Sequence, residues 1–493
     1  MRLLCRGEES VSGHTLKAQT LGGVKWTTVS SVIVTLCQLA TLVILARFLA
    51  PEDFGLMAIL MVVVGFCQVF MDAGISFAII QRKEISHTQL SSLYWLNIVA
   101  GIMLCGAVYL LAPFIAAFYE RSDMTGMIRL LSLVFIIISI GNQYRILCQK
   151  ELQFSRMAMA ETAAAFGSLI VAVLSAIAGY GVFALIFGMM TQASLSSFIF
   201  LFIGLKYHHR PALIYKHSEL KGFFSFGLYQ MGDRAMNYLN THADNLLIGK
   251  FLGMEALGFY NLAWQLCVFP VLRINPILNK VAFPVFSKLQ DDEEKRALYY
   301  ANFMRVAGLI IIPLMVFLFF FATPIVNIVY GQGWEVTASL AAILAAVGII
   351  KAIGAPGGAL FLSLGRADIG FWWNGVWLIG IAGTVLTTLL IAPSIENVAY
   401  AVLGITLAFA LIWHLMIVRI TKTPYRALLK HLLRGFAVSV LIGCAALAIT
   451  KILGLENEIA ILALGGVICA ALYLPYLFFF ERDLIDSYRK QEV

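Results

Sequence analysis

The sequence contains few charged residues. Asp, Glu, Lys and Arg make up 13% of the 493 residues, whereas 61% are hydrophobic and the mean hydropathy is +0.88. A typical soluble domain carries about 25% charged residues, so this composition excludes one. Apolar runs of about 20 residues, the length that a helix needs to cross a bilayer, recur from Trp26 to Phe480. We therefore predict a polytopic, all-α membrane protein.

Three further absences exclude other classes. No GxxxxGK[ST] motif occurs, so the chain has no P-loop with which to hydrolyse ATP. The eight cysteines are scattered singly, which argues against a disulfide framework or a zinc site. The first 25 residues lack the apolar segment of a signal peptide, so the first span is expected to remain as an anchor. No cofactor and no metal are expected.

Thirteen apolar segments are predicted to span the membrane, and a more polar candidate span, 222–248, lies between the sixth and the seventh. This polar segment includes QMGDRAMNYLNTHADN, from Gln230 to Asn245. The approximate bounds of the thirteen are 26–46, 54–80, 93–116, 128–147, 157–178, 181–203, 257–283, 303–328, 338–363, 371–392, 397–418, 435–453 and 459–480.

The distribution of basic residues indicates that the polar segment also crosses. If it does, 25 of the 35 Lys and Arg residues lie in loops on the side of the termini, five on the opposite side and five within spans. Cytoplasmic loops are enriched in Lys and Arg, so both termini are predicted to be cytoplasmic. If the segment were a loop, twelve basic residues after position 284 would face outward against one facing inward. We therefore predict fourteen transmembrane helices.

An internal repeat supports the same topology. ARFLAPEDFGLM after the first span aligns with GKFLGMEALGFY after the polar segment, at a shift of 203 residues. Six spans per repeat keep both copies in one orientation, which predicts two parallel, pseudo-symmetric six-helix lobes plus two C-terminal helices. The predicted organisation is a cytoplasmic N-terminal segment 1–25, an N-lobe 26–203, a basic linker 204–221, a C-lobe 222–418, a basic loop 419–434, two helices in 435–480 and a cytoplasmic tail 481–493.

The polar segment carries a continuous polar face when it is drawn as a helix. Ionised side chains are costly at the centre of a bilayer, so this face is expected to line protein or water. In one interpretation its groups pair with adjacent helices; in the other they line a water-filled cavity between the lobes. The residues of this face are Gln230, Asp233, Asn237, Asn240 and Asp244, with Arg234, Tyr238, Thr241 and Asn245 beside them.

Other charged residues are predicted at similar depth. Arg273 and Lys351 lie near the middle of their spans, and Pro270 and Pro276 are expected to interrupt the helix around Arg273. Lys280 and Arg305 lie nearer to span ends, where long side chains can reach water. The predicted substrate-binding residues are Arg234, Arg273, Lys351, Asn237 and Asn240, and the candidates for ion coupling or a counter-ion are Asp72, Asp233, Asp244 and Glu161, the first and last of them expected to be buried in the N-lobe.

A cavity with more cations than carboxylates favours an anionic substrate. Guanidinium groups bind carboxylate and phosphate in a planar fork, so we expect a lipid-linked pyrophosphate or an acidic sugar. The basic linker 204–221 could also bind anionic lipid or pyrophosphate, although basic charge there also serves topology. His208, His209 and His217 within it are expected to be solvated rather than metal ligands.

Three stretches resemble the Wzx-type polysaccharide flippases of the multidrug/oligosaccharidyl-lipid/polysaccharide exporter superfamily: RFLAPEDFGLMA (47–58), KFLGMEALGFYNLA (250–263) and FPVFSKLQDDEEK (283–295). The sequence looks most like the exporters of acidic polysaccharides such as colanic acid. The resemblance implies two six-helix lobes around a cation-lined cavity in the bacterial inner membrane. It also implies flipping, by alternating access, of an undecaprenyl-diphosphate-linked repeat unit to the periplasmic leaflet.

Two alternative functions are weighed against a flippase. A multidrug exporter of organic cations would need a cavity of net negative charge. A membrane-embedded polysaccharide polymerase or glycosyltransferase would need a sizeable outward loop or domain, whereas the predicted outward loops are short. The expected partners are the lipid-linked oligosaccharide and membrane lipids, with the polymerase and export machinery as further candidates; no nucleic acid is expected.

Overall fold

The structure is a computed structural model, and it describes residues 13–71, 79, 85–216, 224–421 and 425–481. Every regular element within these ranges is a helix, which confirms the all-α prediction. The helices are α1 (Gly13–Leu45), α2 (Pro51–Met71), α3 (His87–Phe118), α4 (Met124–Lys150), α5 (Phe154–Ile177), α6 (Val182–Tyr207), α7 (Phe224–Phe251), α8 (Gly253–Lys288), α9 (Glu293–Phe320), α10 (Ala322–Tyr330), α11 (Glu335–Gly354), α12 (Pro356–Ser363), α13 (Ala367–Ile391), α14 (Ile395–Thr421), α15 (Tyr425–Ile452) and α16 (Glu458–Phe480).

The composition of these helices suits a bilayer, where every backbone polar group must be paired within the chain. Twelve spans in the described ranges are long and apolar enough to cross a membrane, with α11 and α12 together forming one of them. The remaining long helices, α7 and α8, are not among the twelve. Both exceed the length that a crossing requires, so their crossing stays a prediction.

Two details differ from the sequence-based expectations. The helix α8 continues unbroken through Pro270 and Pro276, so the predicted interruption is wrong. Each proline removes only one backbone donor, and membrane helices tolerate this where the freed groups find other partners. The predicted span 338–363 is instead divided at Ala355, immediately before Pro356 opens α12.

The chain forms two compact units, and the division falls inside α2 and α7. Unit 1 comprises 1–49 and 59–238, and unit 2 comprises 50–58 and 239–493. In unit 1, α5 packs along α6 and α1, while α4 packs between α3 and α6. Close approach relies on small residues, as expected between membrane helices: Gly141 lies directly against the backbone of Ser197.

Unit 2 is assembled around α8, α9 and α11, which pack on one another. The C-terminal pair joins it through α15, which packs against α9 and α16. One buried cluster brings Phe286, Tyr300, Leu360 and Trp413 together from α8, α9, α12 and α14. A buried core of this kind, packed at high density, fixes how these four helices lie against one another.

The two copies of the internal repeat contact each other in unit 2. A Cβ atom added to Gly55 would lie 1.8 Å from the carbonyl oxygen of Met254, and one added to Gly258 would lie 1.8 Å from that of Pro51. The contact is reciprocal, because the equivalent glycine of each copy faces the backbone of the other. The motif therefore marks a backbone-to-backbone crossing that only glycine permits.

An ion pair is buried where α16 ends. Arg305 on α9 donates to the carboxylate of Glu481, and these side chains are 9% and 1% exposed. The hydroxyl of Tyr476 also donates to Glu481, at 3.1 Å, and His431 lies 3.8 Å from the same carboxylate. The expectation that Arg305 extends toward water is therefore wrong, because its charge is balanced inside the protein.

Candidate functional site

The polar face of α7 is divided between the two units. Arg234 and Asn240 are half-buried, Asn237 is exposed and Asp244 is buried. The side chains of Asp233 and Gln230 lie outside the described residues. The polar face is therefore not exposed to solvent along its whole length, because the end of the face nearest Phe251 is buried inside unit 2.

The part of α7 in unit 1 is held by Tyr238. Its hydroxyl donates to the carbonyl of Met61 at 3.1 Å, and its ring lies against Gly65 and Phe66 of α2. This contact pairs part of the polar face with a neighbouring helix. Two residues further along α7, the Oδ1 atom of the half-buried Asn240 is itself buried and accepts no hydrogen bond from the described residues. A buried amide oxygen without a donor is uncommon in native proteins.

Asp244 is the most deeply buried of the predicted site residues whose side chains the structure describes. It is 5% exposed, and one carboxylate oxygen accepts a hydrogen bond from the hydroxyl of Tyr260 at 2.8 Å. The other accepts from the backbone N–H of Asn245 at 2.9 Å. These two donors fix the carboxylate, and they compensate part of the cost of its burial.

Lys351 is brought to the same region of unit 2. Its Nζ lies 5.3 Å from the ring centroid of Trp264 on α8 and 5.3 Å from that of Trp377 on α13. Asp244 acts on Lys351 electrostatically, but no carboxylate in the described ranges lies within ion-pair distance of the ammonium. The structure thus brings together the predicted residues Lys351 and Asp244. Sequence reasoning missed Tyr260, Trp264 and Trp377, which are ordinary aromatic residues within apolar runs.

Other predicted residues lie elsewhere or outside the description. The side chain of Arg273 and the whole of Asp72 lie outside the described residues. Glu161 belongs to unit 1, where it pairs with Arg145 at 3.6 Å, and its side chain is 38% exposed. The expectation that Glu161 is buried is therefore wrong. The partner of the Glu161 carboxylate is a cation on the preceding helix, α4, so the pairing is that of a counter-ion.

The linker after α6 folds back onto α3 and α4. Trp95 donates to the carbonyl of Ala212 at 2.8 Å, and Ser91 accepts from the N–H of the same residue at 3.1 Å. Ser92 accepts from the N–H of Lys216 at 3.1 Å. The first residues of the basic linker are therefore anchored to unit 1.

The two histidines at the start of this linker are not solvated, which corrects the expectation. His208 is bonded to Glu151 at 3.0 Å and to Cys148 at 3.5 Å. Burial lowers the pKa of His208, but these two partners outweigh burial and raise it to about 9, so the ring is charged at neutral pH. Burial, together with His87 and His208, lowers the pKa of His209 to about 4. His217 lies outside the described residues.

Ionisable side chains held within a multi-pass helical protein, as Asp244 and Lys351 are, typically mark functional sites such as substrate or ion pathways. The chain belongs to the polysaccharide biosynthesis protein family, whose model matches residues 44–339. The resemblance inferred from the three sequence stretches is thereby confirmed. So is the prediction of a transporter rather than an enzyme.

Two relatives agree with this membership, and one solved structure shares the fold. The chain is 33% identical to the lipopolysaccharide biosynthesis protein WzxC of Escherichia coli K12, over 86% of each chain. It is 32% identical to the teichuronic acid biosynthesis protein TuaB of Bacillus subtilis 168, over 92% of this chain and 94% of that one. The inward closed structure of the lipid II flippase MurJ matches with a TM-score of 0.74 at 16% identity, covering 93% and 99%. That likeness shows the fold alone.

Proposed function

We propose that the protein translocates undecaprenyl-diphosphate-linked acidic oligosaccharide repeat units from the cytoplasmic to the periplasmic leaflet. It does so in a bacterial inner membrane, with both termini cytoplasmic, by alternating access of two six-helix halves around a cationic cavity. The observation that carries the proposal is Lys351, a half-buried cation near the middle of its span. Its ammonium has no carboxylate within ion-pair distance in the described part of the chain, so it is available to an anionic substrate.

The names of similar proteins support the substrate class. WzxC and TuaB are named for the biosynthesis of lipopolysaccharide and teichuronic acid, and the structurally similar MurJ is named as a lipid II flippase. A flippase for a lipid-linked saccharide also fits a chain without a P-loop, whose cycle would be driven by an ion gradient or by removal of the product.

We assign substrate contacts to Arg234, Arg273, Lys351, Asn237 and Asn240. The buried Asn240 oxygen without a donor would accept a hydrogen bond from a sugar hydroxyl, since an unpaired buried acceptor gains most from a new donor. Asp72, Asp233, Asp244 and Glu161 remain the proposed carboxylates for ion coupling or charge balance. The pairing of Glu161 with Arg145 and the influence of Asp244 on Lys351 favour charge balance for these two.

Replacing a substrate-binding cation with alanine is expected to impair export without affecting insertion. A charge-assisted hydrogen bond contributes about 1.5–3 kcal/mol, so Arg234→Ala, Arg273→Ala and Lys351→Ala should each reduce export about tenfold or more. The variants are expressed in a flippase-null strain and scored for surface polysaccharide and for protein level in the membrane.

The matched control is Lys295→Ala, because this lysine is 68% exposed and its ion-pair partner among the described residues is Asp292, three positions earlier on the surface. Export by the control should equal that of the wild-type protein. Wild-type export by all three cavity variants, at equal protein levels, would refute the assignment of these cations to the substrate.

A further inference from the structure

An aromatic cage surrounds Lys351 in unit 2. Trp264 on α8 and Trp377 on α13 both place their ring centroids 5.3 Å from its Nζ. All three side chains are half-buried, and thus retain accessible surface. An indole face attracts a cation, but it does not take the place of a hydrogen-bond acceptor. The contacts of the ammonium among the described residues are these two rings, and none of those residues accepts a hydrogen bond from its three N–H donors.

The cage is held in place by its neighbours. The ring of Tyr260 stacks on Trp264, with centroids 5.9 Å apart and an interplanar angle of 27°. The hydroxyl of the same Tyr260 is fixed by Asp244 at 2.8 Å. On α13, the ring of Trp377 packs edge-on against Phe409, with centroids 4.9 Å apart. Both indoles are thus oriented before any ligand arrives, which reduces the entropic cost of binding.

We propose that Trp264, Lys351 and Trp377 form a subsite for an acidic sugar. The apolar C–H face of the sugar's pyranose ring would pack on an indole. The carboxylate of the same sugar would accept hydrogen bonds from the ammonium of Lys351. Aromatic walls with one convergent charged group are typical of small-molecule sites. This inference rests on the proposed function and deepens it, because it names the part of the substrate that Lys351 recognises.

The two indoles favour a sugar over a pyrophosphate as the ligand of Lys351. A pyrophosphate is multiply charged and has no apolar face, and it is bound best by guanidinium forks. The face of an indole ring provides no hydrogen-bond donor for the oxygens of a pyrophosphate. The bulk of two indoles would also exclude water from those oxygens. A sugar carboxylate carries one charge beside an apolar ring face, which matches one ammonium between two indoles.

The subsite is tested by saturation-transfer difference NMR on the purified full-length protein in lipid nanodiscs. Glucuronate is the probe and glucose is the comparison ligand, while pyrophosphate, which has no carbon-bound protons, is tested as a competitor of the glucuronate signal. We expect ring-proton signals from glucuronate, and an affinity for glucose that is lower by about tenfold, since glucose lacks the charge. Lys351→Gln, Trp264→Leu and Trp377→Leu should each weaken glucuronate binding by about tenfold.

Three variants keep this result interpretable. Trp264→Phe and Trp377→Phe retain an aromatic face and should restore part of the binding if a leucine variant fails to fold. Trp372→Leu is the matched control, because Trp372 also lies on α13 but is 70% exposed. This variant should bind glucuronate as tightly as the wild-type protein does. Wild-type binding by folded Trp264→Leu and Trp377→Leu, or equal affinity for glucose, or loss of the glucuronate signal at a pyrophosphate concentration well below that of glucuronate, would overturn the subsite.

Failure of the subsite and failure of the proposed function give different results. If the wild-type protein restores export, and Trp264→Leu and Trp377→Leu export and bind glucuronate as the wild-type protein does, the subsite is refuted while the proposed flippase function is supported. If wild-type protein binds glucuronate through the cage but restores no export in a null strain, the subsite stands and the flippase is refuted.

Discussion

Replacing Glu481 with alanine is expected to lower the free energy of unfolding by about 3–5 kcal/mol, because the substitution removes one member of a buried ion pair and keeps the other. Arg305 is 8% exposed as a residue and donates to Glu481, which also accepts from Tyr476. The measurement is unfolding of the purified protein in detergent, followed by tryptophan fluorescence. The amount of the Glu481→Ala protein in the membrane should also fall, because the lost contact connects the end of α16 to α9 and α15.

A double variant distinguishes a lost ion pair from simple loss of packing. Arg305→Met combined with Glu481→Met removes both charges and keeps the volume, so it should recover most of the stability, as replacing a whole buried pair often does. The control is Asp368→Ala, which breaks the exposed pair with Arg366 and should leave stability unchanged. Equal stability of Glu481→Ala and wild-type protein would contradict the buried ion pair.

Replacing Gly55 with alanine is the second substitution with a large expected effect. The added methyl group would lie 1.8 Å from the Met254 carbonyl oxygen, and a backbone atom yields less than a flexible side chain does. We expect a loss of about 3 kcal/mol, the upper end of the usual cost of overpacking. The same loss is expected for Gly258→Ala, because the contact is reciprocal.

Gly106→Ala provides the matched control for both glycines. Gly106 also lies inside a long helix, and a Cβ atom added there would meet nothing within 4 Å. Alanine is favoured over glycine in helices, so this variant should be as stable as wild-type protein or more so. Unfolding in detergent is compared for the three variants. If Gly55→Ala and Gly258→Ala unfold as Gly106→Ala does, the close crossing of the repeats is wrong.

The fold class follows from the sequence because hydropathy and basic-loop bias act on whole segments. The apolar runs predicted the long helices, and the stretches around Gly55 and Gly258 predicted the family. The same alignment also drew attention to both glycines, although the sequence alone gave no sign that they touch. The crossing of the polar helix α7 rests on loop charges and stays a prediction.

The site was harder to predict, because it depends on which residues distant segments bring together. Lys351 was recognisable as a charge at membrane depth, whereas Trp264 and Trp377 were indistinguishable from the lipid-facing aromatic residues of a membrane protein. Glu481 appeared to be part of a charged tail, yet it is buried against Arg305. His208 appeared to be a solvated loop residue, yet it bonds to Glu151 and Cys148.

The central claim is tested most directly by a translocation assay with the reconstituted protein. Proteoliposomes carry an undecaprenyl-diphosphate-linked oligosaccharide that contains a uronic acid, and an impermeant oxidant reports how much of it reaches the outer leaflet. The assay is run with and without a proton or sodium gradient. We predict that wild-type protein moves this lipid far faster than protein-free liposomes do, and faster than a neutral analogue. Translocation no faster than in protein-free liposomes under every gradient, or equal rates for the acidic and the neutral lipid, would contradict the account.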